Sequence, residues 1–166
     1  MRNHYRLLAA AAAITSVAVT GVTAASAASA APQTGGSTEY IQIMSASANG
    51  GPASAIARGA FTAAGEAHFG NGPIATIVFP GGTITLRHKA SRGSGQIDPR
   101  TCLNVITQSG TYQLTGGTGR YAGIRGSGTY QLSLEFIAAR AHGRCTTAKA
   151  PVAQQELLRL AGQVRL

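Results

Sequence analysis

Few side chains in this chain are equipped for chemistry, and their spacing narrows what they could do. His88 ends an apolar strand face made by Ile84 and Leu86, so its imidazole would project into an interior or its rim. An imidazole there is either a hydrogen-bonded interior residue or a general base or ligand donor. The acids are Glu39, Glu66, Asp98, Glu135 and Glu156. Glu39 and Glu135 lie on different expected strands and could converge with His88, which makes His88, Glu39 and Glu135 the candidate catalytic groups. Paired-carboxylate hydrolysis needs two acids on one wall at a defined separation, and nothing in the sequence places them so. No G-x-S-x-G elbow is present. His68, His88 and His142 have no metal-ligand spacing and no Cys/His/Asp cluster accompanies them, so no metal is expected.

Cys102 and Cys145 are the only two cysteines. An even count in an exported chain favours a disulfide over a catalytic thiol, which would need a paired His in an electropositive niche. Closing a loop of that length is worth about 3–4 kcal/mol in the chain-entropy model.

Export is suggested by the first 30 residues. Arg2 and Arg6 precede an apolar stretch from Leu7 to Val22, and an Ala/Ser-rich segment follows. That is the pattern of a secretory signal peptide, with small-residue cleavage sites after Ala27 or, preferably, Ala30. The apolar segment is short for a membrane span, so no stable membrane insertion is expected after cleavage. Residues 31–37 read as a flexible tail and 38–166 as one domain. Removing Arg2 and Arg6 takes the formal charge from +9 to +7. The basic residues are dispersed, and the chain has five Tyr, four Phe and no Trp. A nucleic-acid surface would need clustered cations interleaved with stacking rings, so no nucleic-acid partner is expected.

These groups must be positioned by a glycine-rich framework. The stretch Ser109–Leu132 reads SGTYQL-TGGTGRYAGIRG-SGTYQL, one hexapeptide twice around a loop holding Gly116, Gly117, Gly119, Gly123 and Gly126. Each copy alternates with the period of a half-buried strand. The loop matches G-x-G-x-x-A at Gly117, Gly119 and Ala122, but more glycines follow instead of a helix, so it does not read as a dinucleotide fingerprint. Tyr121 is expected to anchor the loop against the end of the fold. Arg120 and Arg125 are expected to meet nearby carbonyls, a carboxylate such as Glu135, or a ligand anion.

Other segments read as strands too. Thr38–Ser47 puts Glu39, Ile41, Ile43 and Ser45 on one face and Tyr40, Gln42 and Met44 on the other. Asn49–Pro52 is a turn, and Ser54–Ala64 a second strand bending near Gly59 and Gly65. Ile74–Phe79 and Thr83–Lys89 form a hairpin across Pro80-Gly81-Gly82. Ala90–Arg100 reads as a polar loop, Thr101–Leu114 as a strand kinked at Gly110, and Thr129–Ala138 as another strand. Near the end the period changes. Ala153, Leu157, Leu160, Ala161 and Val164 have helical spacing, so a short C-terminal helix is expected over Pro151–Leu160. Short strands between Gly/Pro turns argue for an all-β sandwich or barrel.

The loop motif carries a resemblance that decides between them. Gly117-Thr118-Gly119-Arg120-Tyr121, followed by Gly123 and Gly126, resembles the glycine signature of dirigent proteins and, more loosely, of the allene oxide cyclase family. It also resembles a group of small secreted actinobacterial proteins sharing this pattern. The resemblance implies a closed antiparallel β-barrel of about eight strands. It also implies cofactor-free steering of a reactive small molecule in an apolar cavity, and a homotrimer. The expectation for function is a secreted, non-catalytic barrel that binds a small apolar or aromatic ligand or acts as an extracellular interaction module. The alternatives are a dirigent-like or cyclase-like guide and a structural barrel filled by side chains. Tyr40, His88, Tyr112, Tyr130 and Arg125 are the candidate ligand contacts.

Overall fold

A computed structural model describes residues 36–46, 53–70 and 72–166. The expected leader at 1–30, most of the tail and the Asn49–Pro52 turn lie outside the described residues. Ten strands follow in order: β1 Ser37–Ser45, β2 Ala53–Arg58, β3 Ala63–Phe69, β4 Ile74–Phe79, β5 Gly82–Asp98, β6 Leu103–Gly117, β7 Arg125–Ile137, β8 Ala139–Ala141, β9 Arg144–Thr146 and β10 Ala153–Arg165. Eight of them close into an antiparallel barrel in the order β1-β10-β7-β6-β5-β4-β3-β2, and β8 and β9 form a separate hairpin. Closure pairs the strands on both sides around the barrel, and beyond Arg87 β5 continues paired with β6 alone.

The two SGTYQL copies lie side by side in β6 and β7. Thr111 faces Thr129, Gly110 faces Tyr130 and Tyr112 faces Gly128, so each copy's glycine receives the other's tyrosine. The bare backbone is needed for this. A Cβ on Gly110 would come 2.7 Å from a Tyr130 ring carbon. Gly110 also sits beside the register shift between Ala90 and Arg92, where the strand was expected to kink.

Alternation sorts the walls. Ile41 and Ile43 on β1, Ala55 and Ala57 on β2, Ile77 and Phe79 on β4, Ile84 and Leu86 on β5, and Leu160 and Val164 on β10 are buried inside. One end is sealed. The β2–β3 bend, the β4–β5 turn and the glycine loop bring Phe61, Phe79 and Tyr121 together, with ring centroids 5.1–5.8 Å apart. Tyr121 belongs to a single 3-10 turn, Gly119–Tyr121. Gly119 starts it at φ 58°, and a Cβ there would meet the Gly81 carbonyl oxygen at 2.0 Å. Thr118 fastens the loop to β5: its N–H donates to the Thr83 carbonyl at 2.9 Å and its hydroxyl accepts from the Thr83 N–H at 3.0 Å.

The structure corrects three readings. Residues 153–165 are strand, not helix. All thirteen pair with β7 and nine positions pair with β1, and this two-sided ladder overrides a locally helix-compatible sequence. Their alternate residues Leu158, Leu160 and Val164 suit a strand as well as the wider spacing suits a helix. Ala90–Arg100 is not a loop: β5 runs to Asp98 because β6 supplies its hydrogen bonds over the whole length. The expected strand over Ser54–Ala64 is two strands, divided at Gly59 (φ 139°). After Ala138 the chain makes the β8–β9 hairpin, whose His142-Gly143 turn has positive φ at both residues.

Cys145 in β9 is disulfide-bonded to Cys102, 43 residues away, with Cα atoms 5.4 Å apart. The bond ties the hairpin to the start of β6.

Candidate ligand site at the barrel mouth

The end opposite the aromatic seal is open. Its cup has a volume of about 250 Å³. Leu86, Leu132, Leu158 and Leu160 form its walls, with Phe69, Gly70 and Gly72 at the lip. Pairing explains why these side chains converge: Leu158 lies opposite Leu132, and Leu160 opposite Tyr130, on the inward face of β10 and β7. His88, Gln108, Tyr130 and Glu156 add the polar groups. The Tyr130 hydroxyl donates to Gln108 Oε1 at 2.8 Å, and the His88 ring stands nearly perpendicular to the Tyr130 ring at 5.9 Å between centroids. His88 is also pinned through its backbone, where its N–H donates to the Pro73 carbonyl at 2.8 Å. An apolar concavity with a few fixed polar groups is the usual form of a small-molecule site.

Glu156 was not among the candidates read from the sequence. It faces Leu134 across the sheet on the inward side of β10. Burial pushes its carboxyl above the ordinary carboxylate range. The helical reading of this segment hid it, since only strand alternation puts Glu156 on the same face as Leu158 and Leu160.

The other candidates are dispersed. Glu39 is inside the barrel but fully buried and not part of the cup. The Phe61 N–H donates to its Oε2 at 3.0 Å. Burial raises its carboxyl, and the backbone amides of Phe61, Arg58, Ala60 and Tyr40 pull it back part of the way. Tyr112 lies in the same layer: Glu39 pairs with Gly162, Gly162 with Gly128 and Gly128 with Tyr112. A Cβ on Gly162 would meet the Tyr112 phenol oxygen at 2.7 Å, so the phenol crosses the two glycines towards Glu39. Burial, and secondarily the charge of Glu39, push the Tyr112 hydroxyl up to about 12. This pair sits below the cup as interior structure.

Glu135 is on the outer face of β7 and exposed, so it cannot act with His88 inside. Tyr40 also points outward and is 51% exposed, because the pleat that buries Glu39 turns its neighbour to solvent. Arg125 is exposed at the sealed end, where its guanidinium donates to the Ile124 carbonyl at 2.8 Å. Arg120 stands with its guanidinium carbon 5.5 Å from the centre of the Tyr121 ring. Of the five expected ligand contacts, His88 and Tyr130 line the cup. His68 meets Glu66 at 3.9 Å on the surface. Among the described residues no three His, Cys, Asp or Glu side chains come together as a metal site.

A larger concavity, about 540 Å³, runs along the outer wall between Arg92, Ser109, Gln131 and Arg159. It is more open than the mouth and lined mainly by polar residues, with Leu132 and Leu157 as its apolar part, so the mouth is the better candidate. Set against protein-family models, curated proteins and solved structures, the chain matches none.

Proposed function

We propose that this is a secreted β-barrel protein that holds a small apolar or aromatic ligand in its mouth. One observation carries the reading. The sealed half of the barrel is packed with side chains, whereas the mouth half keeps a cup of about 250 Å³ walled by four leucines. A purely structural barrel has no need of that asymmetry. Secretion rests on the basic-then-apolar leader of the sequence and on the intramolecular disulfide, which suits an oxidising compartment. No helix among the described residues is long and apolar enough to cross a membrane.

In the cup His88 has neither Glu39 nor Glu135 as a partner, so no acid–base pair of the expected kind is assembled. The guiding role implied by the resemblance to dirigent proteins and allene oxide cyclases uses the same cup and differs in releasing a changed product. The homotrimer implied by that resemblance would appear as three times the chain mass. A ligand of about ten heavy atoms, at roughly 0.5 kcal/mol per atom, would bind with a Kd on the order of 0.1–1 mM.

Native mass spectrometry of the exported protein, incubated with a pool of small aromatic and aliphatic compounds, tests the proposal. Retained compounds should be displaced by filling the cup with Leu158→Trp and weakened by His88→Ala. Retention of nothing by the wild type, or retention unaffected by both variants, would refute a mouth site. Appearance of a new mass from a bound compound would favour the guiding role.

A further inference from the structure

The leucines fix the apolar part of a ligand, and the polar lining of the cup is more selective. The chain has fourteen Lys and Arg against five Asp and Glu. Yet no Lys or Arg lines the cup, and its one carboxylate is Glu156. Strand register directs Glu156 inward: Ser45 of β1 and Leu134 of β7 are its neighbours on the flanking strands, and neither carries charge. No hydrogen bond or ion pair to Glu156 is present among the described residues. Glu39, the other inward-facing carboxylate, is met at Oε2 by the Phe61 N–H, while its Oε1 has no hydrogen-bond partner among the described residues. A half-buried carboxylate without a partner is costly, and one that lines a cleft marks a candidate functional position.

Resting on the mouth as a ligand site, we propose that its ligand is a small amine, with the apolar body on Leu132, Leu158 and Leu160 and the ammonium facing Glu156. The Tyr130 and Phe69 rings are also in the lining, where an ammonium over an aromatic face gains further attraction. A carboxylate ligand would instead meet like charge in a partly desolvated site. The raised carboxyl of Glu156 adds a signature. The empty site holds a proton over part of the acidic range, and amine binding expels it. Affinity therefore rises with pH through the titration of Glu156 and falls when the amine itself deprotonates. His88 and Tyr130 are the other titratable groups lining the cup, and His88→Ala separates its contribution to that profile.

The test uses 2-phenylethylamine, 2-phenylethanol and 3-phenylpropionate, titrated into wild type and Glu156→Gln and followed by the methyl resonances of the cup leucines. The amine should bind wild type about tenfold more tightly than the alcohol near neutral pH, as expected for gaining a charged partner. The propionate should bind most weakly. Glu156→Gln should erase the amine's advantage over the alcohol, and methyl resonances of the unliganded variant close to those of wild type show that the cup is intact. Equal binding of amine and alcohol by wild type, or an advantage that survives Glu156→Gln, overturns the amine assignment and leaves the apolar cup standing. Failure of all three compounds to move those methyls overturns both.

Discussion

The two ends of the barrel bury a carboxylate and a tyrosine each, and treat them differently. At the sealed end Glu39 is fully buried, and burial and backbone amides act on it in opposite directions. Tyr112 lies beside it in the same layer. At the mouth Glu156 is only half-buried, with burial as the one influence on its carboxyl, and Tyr130 opens onto the cup. The tyrosines come from identical hexapeptides, so the difference is not local sequence. It comes from position along antiparallel strands: the chain runs one way in β6 and the other in β7, and each copy meets a different end. Glu39 is therefore read as part of the fold and Glu156 as part of the site.

Substitutions can break that contrast, beginning with the largest effect. Tyr121→Ala should remove the seal and cost about 3–5 kcal/mol in denaturant unfolding, as large aromatic truncations in cores do. Tyr121→Phe should cost little, because the hydroxyl has no hydrogen-bond partner among the described residues. A large loss for Tyr121→Phe would mean that the plug is held by a polar contact instead of packing. Reducing the disulfide, or replacing both cysteines by Ser, should cost about 3–4 kcal/mol and loosen the mouth-side hairpin first in hydrogen exchange. Glu39→Ala should cost about 1–3 kcal/mol, from stranding the Phe61 amide and its neighbours.

Glu156→Gln should do the opposite and raise the midpoint of thermal unfolding at pH 7. The folded-state pKa of Glu156 lies above its unfolded value, so its burial is uncostly at acid pH and becomes destabilising as pH rises through that interval. The gain from Gln should vanish below the ordinary carboxylate pKa. A loss of stability at pH 7 would show that the carboxylate is held by the fold after all. The smallest effect is spectroscopic. Tyr112 should ionise near pH 12, and earlier in Glu39→Gln. Since the folded-state value is the higher one, this group withdraws stability as pH rises from about 10 towards 12.

Much of the frame was legible. The Ile74–Lys89 hairpin, the faces of β1, the inward run of Tyr130 and Leu132 and the cysteine pair all follow from period-2 alternation and cysteine count. The last strand was not legible, because Leu157, Leu158 and Leu160 satisfy both helical and strand periods, and only the ladders to β1 and β7 decide. The site was less legible still. Alternation shows that Tyr130, His88 and Glu39 face inward, but not which end of the barrel each reaches. That depends on stagger between strands far apart in sequence, and on which loop folds back to plug an end. Tyr40 and Arg125 failed as contacts for the simpler reason that they lie on the outer face.

The account stands on the mouth being open and the opposite end sealed. Titration of methyl-labelled protein with indole tests this most directly. The predicted result is saturable shifts at Leu86, Leu132, Leu158 and Leu160, with Ile84 and Ile124 at the sealed end unmoved. Shifts confined to the outer wall, or none at millimolar indole, would contradict it.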